Sequence, residues 1–291
     1  MKTKVFLALV IALFWTLSAA AQQMPQMQPV IYLADFHVKP GKEADFMDLV
    51  KKYDEPLFNK LMAEGAVMAW GVDVPILHEP GGASHTFWWV SPDMGAFDKV
   101  FAAFEEHEKQ MKADDTKAAE EARKKGRVAP KTAEERFLET VDISKHKDLL
   151  LRDLIVRFTD KPRPENAPLP YTWITTIRVK PGKGDDFRAW WEKYVKPVLD
   201  KLVDDGTIIG YEFGVEEAKT TDMFTHFGTV LLPNLAAREK VRNTFYADRQ
   251  GRSAEEREHI TNTVLKAIDP DASRNFIVRS IALHVAAPPK K

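Results

Sequence analysis

His85 and His226 occupy the same position in two copies of a repeated segment, each at the head of an apolar run. An imidazole can serve as a general base near neutral pH or ligate a metal, and it can equally satisfy backbone groups near a hairpin. Asp73 and Glu212, on the runs just before, could supply carboxylates. A second polar set lies on the strand-like runs 31–38 and 172–179. Alternation there places Tyr32, Ala34, Phe36 and Val38 on one face and Leu33, Asp35 and His37 on the other. The second run sets Trp173, Thr175, Ile177 and Val179 against Ile174, Thr176 and Arg178. The apolar or small set should meet helices, which turns Asp35, His37, Thr176 and Arg178 toward the opposite face. A charge there needs a partner or a solvated cavity. Two arrangements satisfy this: an Asp35–Arg178 or Asp35–His37 pair that registers two halves, or a polar cluster facing a ligand.

Aromatic residues crowd the same runs: Trp70, Phe87, Trp88, Trp89, Trp173, Tyr211 and Phe213. They suit core packing, and they equally suit a pocket for a flat apolar ligand oriented by a few polar groups. The candidate substrate-binding set is therefore Asp35, His37, His85, Trp89, Arg178, Glu212 and His226. In catalysis a His would be the base and Arg178 would stabilise developing negative charge. No metal is expected, because the two histidines share no His-x-x-x-His spacing and the chain has no cysteine. The missing cysteines also exclude disulfides, iron–sulfur clusters and thiol nucleophiles. No phosphate loop, nucleophile elbow or dinucleotide fingerprint is present, and no cofactor is expected. With 42 Lys and Arg against 43 Asp and Glu, a generally basic nucleic-acid-binding surface is not expected either. A composition of 44% hydrophobic and 29% charged residues is ordinary for a globular chain.

The elements that carry these residues come in duplicate. Val38-Lys-Pro-Gly-Lys42 recurs as Val179-Lys-Pro-Gly-Lys183, and the same offset pairs Asp45-Phe46 with Asp186-Phe187, Pro56 with Pro197 and His85 with His226. Each copy reads as strand, helix, strand, strand, helices, strand. Apolar residues at 46, 49, 50, 53, 57 and 61, and at 187, 190, 191, 194, 198 and 202, mark one helical face. Pro56 and Pro197 should kink those helices. Ser91-Pro92 reads as the cap and first turn of the next helix. Thr132-x-x-Glu135 and Ser253-x-x-Glu256 read as capping boxes. The charged stretch 105–148 of the first copy reads as a solvated helical arm. Residues 1–21 have a basic start, a short apolar core and Ala19-x-Ala21, the pattern of a secretory signal peptide cleaved after Ala21, so a periplasmic or secreted protein is expected. The expected organisation is then a first domain over 22–160, a proline-rich linker over 161–170 and a second domain over 171–291.

A βαββαβ unit whose first strand ends in Val-Lys-Pro-Gly-Lys, with a Phe a few residues on, resembles the dimeric α/β-barrel superfamily, which includes antibiotic-biosynthesis-monooxygenase-like and stress-responsive barrel domains. The resemblance covers nearly all of both copies. It implies an α+β fold of two ferredoxin-like units whose sheets pack face to face around a lumen, here as an intramolecular α/β barrel. The superfamily spans cofactor-free monooxygenases, haem-degrading members and isomerases. The haem-degrading members use an Asn on the first strand with a Trp and a His on the second helix. Ala34 and Thr175 stand at the Asn position and Val100 near the Trp position; His107 stands near the His position, where the second copy has Asp248. Haem degradation by that route is not expected.

The preferred functional expectation is an exported protein, monomer or homodimer, that binds a small apolar or aromatic molecule in its lumen and acts as a cofactor-free oxygenase or isomerase. The alternative is a non-catalytic interaction module working through its outer helices and charged arm.

Overall fold

The structure, a computed structural model, describes residues 28–78, 81–161, 164, 166–219 and 224–286. The segment 1–21, expected to be a signal peptide, lies outside these residues, as do Pro162, Arg163 and Glu165 of the proline-rich connection. No helix among the described residues is long and apolar enough to cross a membrane.

Strand β1 (Val30–Phe36) opens the first copy and β5 (Tyr171–Val179) the second. Each is followed by a tight Lys-Pro-Gly turn whose glycine has positive φ, 78° at Gly41 and 73° at Gly182, a conformation that a Cβ penalises. Helix α1 (Glu43–Leu49) runs through one π-helical turn (Val50–Asp54) into α2 (Glu55–Ala63), with Pro56 in the first turn of α2. In the second copy α5 (Gly184–Tyr194) breaks at Val195 and restarts as α6 (Lys196–Asp204), with Pro197 in its first turn. The expected proline kink is present in both copies, absorbed once by a wide turn and once by a break.

Strands β2 (Ala69–Pro75) and β3 (His85–Ser91) lead to α3 (Met94–Lys124), a single helix of 31 residues. The helix cap is Asp93, not Ser91: the Asp93 carboxylate accepts from the Ala96 N–H at 2.8 Å. Ser91 is still paired with Val30 as the last residue of β3, so the chain cannot turn into a helix there. The second copy does the same, with Asn234 capping α7 (Leu235–Gln250). Helix α4 (Ala133–Thr140) carries the full Thr132–Glu135 capping box, and Ser253 caps α8 (Ala254–Ala267). Strands β4 (Lys147–Phe158), β6 (Gly210–Ala218), β7 (His226–Leu232) and β8 (Ile268–Val285) complete the two sets.

All pairings are antiparallel, and the strands close a barrel in the order β1-β3-β2-β8-β5-β7-β6-β4. Within each copy the order is fourth, first, third, second. The two sets meet edge to edge as well as across the interior, through hydrogen-bonded seams β2–β8 and β4–β6. Both seams contain a register shift, at Val72/Asp73 in one and at Leu150/Leu151 and Asp153/Ile155 in the other. Helices cover the outside. Phe46, Phe58, Trp70, Phe87, Trp89 and Val100 form one helix–sheet core, and Phe187, Trp191, Leu202, Tyr211, Phe213 and Val241 form the other. Wholly enclosed rings such as Phe58 each contribute about 2–3 kcal/mol of burial. A third apolar cluster of Ile31, Leu149, Leu151, Phe224 and Phe227 fills part of the barrel interior.

Candidate functional site

The period-2 alternation of each strand decides what enters the barrel. On β1, Ile31, Leu33 and Asp35 point inward, opposite Tyr32, Ala34 and Phe36, which pack with the helix-side core. On β4 the inward set is Leu149, Leu151 and Asp153. Two lumenal rings lie over glycines. A Cβ on Gly71 would meet the Trp88 ring at 2.8 Å and the Ala282 carbonyl oxygen at 2.6 Å. A Cβ on Gly214 would meet the Phe227 ring at 2.5 Å and the Arg152 carbonyl oxygen at 2.3 Å. Glycine is what lets these rings lie flat inside the wall.

Beside these apolar walls sit carboxylates. Asp73 on β2 is 8% exposed and Asp153 on β4 is 2% exposed. Glu212 on β6 accepts from the Thr229 hydroxyl at 2.7 Å. Burial raises all three above the ordinary carboxylate range. Asp73 is lifted to about 6, with Ser280 and the Trp88 indole opposing and the Glu212 charge reinforcing the rise. Asp153 is raised by burial and then by the neighbouring charge of Glu212. Glu212 is raised by burial, against the Thr229 hydrogen bond. Each of Asp153 and Glu212 thus holds its proton more tightly than a free carboxyl does. Asp73 Oδ1 and Asp153 Oδ1 have no hydrogen-bond partner. Buried polar atoms in that state mark a place where water or a guest belongs. Among the described residues no group of three His, Asp or Glu side chains is arranged to hold a metal ion.

Asp35 has the expected lumenal parity and accepts from the Thr86 hydroxyl at 2.5 Å. Burial raises it, while Thr86, Lys147, His37 and His146 pull the other way. His37 therefore does sit within electrostatic reach of Asp35. Arg178 stands opposite Asp269 in the β5–β8 ladder and contributes nothing to the Asp35 environment.

The two repeated histidines go elsewhere. The His85 ring packs 4.9 Å from Phe46, and the His226 ring 5.6 Å from Phe187 and 6.0 Å from Phe213, all beneath the helices. Each shares a hydroxyl with the chain at the strand end: His85 Nδ1 lies 3.1 Å from Ser84 Oγ, and His226 Nδ1 2.9 Å from Thr225 Oγ1. Those hydroxyls donate to the carbonyls of Phe36 and Ile177 and accept from the N–H groups of Val38 and Val179. With its proton committed to a carbonyl, the hydroxyl accepts from Nδ1–H. Burial lowers both imidazoles, His226 to about 4, with Glu43 partly offsetting the effect at His85. Both rings thus join a strand end to the helix above it. Trp89 is also on the helix side, stacked on Tyr32 at 4.1 Å.

Of the seven candidates, the structure places Asp35 and Glu212 in the interior and puts His85, His226 and Trp89 under the helices. Asp153 had escaped the sequence reading. Its signal was there: a charged residue continuing the apolar alternation Leu149, Leu151.

No protein-family model matches this sequence, and no curated protein matches it. Solved structures do. A candidate monooxygenase from Lactobacillus acidophilus NCFM superposes with a TM-score of 0.53 at 10% identity, covering 89% of this chain and 97% of that one. A candidate monooxygenase from Fusobacterium nucleatum gives a TM-score of 0.52 at 15% identity, covering 91% of this chain and 98% of that one. At such identities the likeness is one of architecture. Strand order, closure and these neighbours agree on the fold, an α+β barrel of eight antiparallel strands with helices outside, closed here within one polypeptide.

Proposed function

We propose that this is an exported protein whose two ferredoxin-like halves enclose a binding site for a small, largely apolar molecule, and that the Asp153–Glu212 pair exchanges a proton with that guest. The observation that carries the reading is the pair itself: two buried acids on neighbouring strands, one feeling the charge of the other, and neither in an ion pair among the described residues. Two buried carboxylates that only packed would be costly, since apolar residues of similar size would serve as well or better. A pair with raised proton affinity is suited to proton transfer, the opening step of isomerisation and of cofactor-free oxygenation by dioxygen. Trp88 and Phe227 supply flat apolar walls. Both seams close within one chain, which supports a monomer as the working unit.

Native mass spectrometry of the full chain, purified from its own host without denaturation, tests this. A monomer carrying a small mass that is shed on collisional activation is the expected result. Trp88→Ala, which enlarges the lumen, should change the amount or identity of the bound mass. A bare protein whose tryptophan emission responds to no small aromatic molecule or amine would overturn the reading. The expected arm-mediated alternative would show instead as partner capture lost on deleting 109–131.

A further inference from the structure

Resting on the lumen as the binding site, we propose that its guest is a small primary amine, bound as an ammonium cation with an apolar tail. The charges acting on Asp73, Asp153 and Glu212 are of one sign. Asp73 is faced by Ser280 and Trp88 and feels Glu212; Asp153 feels Glu212; Glu212 is faced by Thr229. None of the described Lys, Arg or His side chains contributes to holding any of the three. The nearest cationic influence on the barrel acids is at Asp35, where Lys147, His37 and His146 act. An anionic guest is therefore repelled, and a neutral hydroxyl brings one donor to a site with at least two orphaned acceptors, Asp73 Oδ1 and Asp153 Oδ1.

An ammonium brings three donors and the missing charge. A multivalent metal ion does not fit, because no three ligating side chains converge among the described residues. Glu212 keeps some accessible surface among buried neighbours on β6. The apolar residues of the barrel interior, Trp88, Phe227, Ile31 and Leu33, suit a short alkyl or phenyl tail and, in Trp88, a ring face for the cation.

Binding has a thermodynamic signature. An ammonium beside Asp153 and Glu212 favours their ionised forms, so it expels protons that they hold. Protons are released on binding, and affinity rises with pH while the acids titrate, as long as the amine itself stays charged.

Calorimetric titration of the full chain with phenethylamine, phenethyl alcohol and hydrocinnamate, repeated in buffers of different ionisation enthalpy, reads both effects. The amine should bind about tenfold more tightly than the alcohol, with proton release, and hydrocinnamate should bind least. Asp153→Asn with Glu212→Gln should remove about tenfold of the amine's affinity and its proton release, and change the alcohol's affinity far less. Those substitutions remove buried charge and should not impair folding, which a thermal melt confirms. Equal binding of alcohol and amine, or an amine affinity indifferent to the double variant, would overturn the proposal and leave the lumenal site standing. Binding of none of the three, together with a bare native mass, would overturn both.

Discussion

Asp153 lies opposite Gly214 across the β4–β6 seam, as Ser280 lies opposite Asp73 across the β2–β8 seam. The repeat makes these two pairs equivalents: Gly214 answers to Asp73 and Ser280 to Asp153. Each seam thus keeps one buried acid beside one small residue, but the acid has changed strands. Because each seam also carries a register shift near that point, the acids mark the places where the ladder is least regular.

The first prediction concerns pH. Asp73 titrates at about 6 in the folded protein and near 3.8 in a free chain, and Asp153 and Glu212 shift in the same direction. An acid with raised folded pKa favours folding most below its unfolded value, and that contribution is lost as pH rises through the folded value. For Asp73 alone about 3 kcal/mol should be lost between pH 4 and 6. Urea melts should accordingly show greater stability at pH 5 than at pH 7, and Asp73→Asn should flatten the profile. A profile that declines on acidification across this window would contradict the burial assigned to these acids.

A second prediction lies outside the barrel. Burial would raise the Asp200 carboxyl, but Lys196, Tyr211 and Arg157 outweigh it and hold it at about 2. Tyr211, wholly buried, donates to Asp200 at 2.7 Å. Asp200→Asn should destabilise the second half by about 1–2 kcal/mol at pH 7, and Tyr211→Phe by about 1 kcal/mol. Chemical denaturation of the two variants checks both values.

Gly71→Ala is the third. Its Cβ would press on the Ala282 carbonyl, which is backbone and cannot step aside, and on the Trp88 ring. A loss of about 2–4 kcal/mol is expected, and Trp88→Ala should relieve only part of it. Circular-dichroism melts of the single and double variants would show whether the backbone contact dominates.

Helix caps provide a fourth, more modest case. Thr132→Ala removes the hydroxyl that accepts from the Glu135 N–H, leaving only the bond from the backbone N–H of residue 132 to the Glu135 carboxylate. A cost of about 1 kcal/mol is expected, with Asp93→Ala costing about the same at the head of α3. Amide exchange should speed up in the first turn of each affected helix and nowhere else.

Much of this architecture was legible in the sequence, because the signals were local or duplicated. Alternation at 31–38 told which residues of β1 face inward, and two prolines at matched positions told where the helices bend. The missed cap at Asp93 has a tertiary cause: β1 pairs with β3 through Ser91, and no local preference reports how far a ladder extends. The candidate site was less legible. His85 and His226 stood out because they repeat, yet repetition here follows from a shared structural task, holding strand ends under helices. Asp73, Asp153 and Glu212 do not repeat, and only barrel closure brings β2, β4 and β6 to one interior.

Both seams close within the chain, and closure leaves the described sheet without a bare edge. An unpaired strand is a template for any other extended chain, so a ring of strands is protected against fibril-like stacking for as long as it stays shut. Half of this protein expressed alone would bare the rims of β2 and β4, and self-association, rather than loss of secondary structure, would be its first failure.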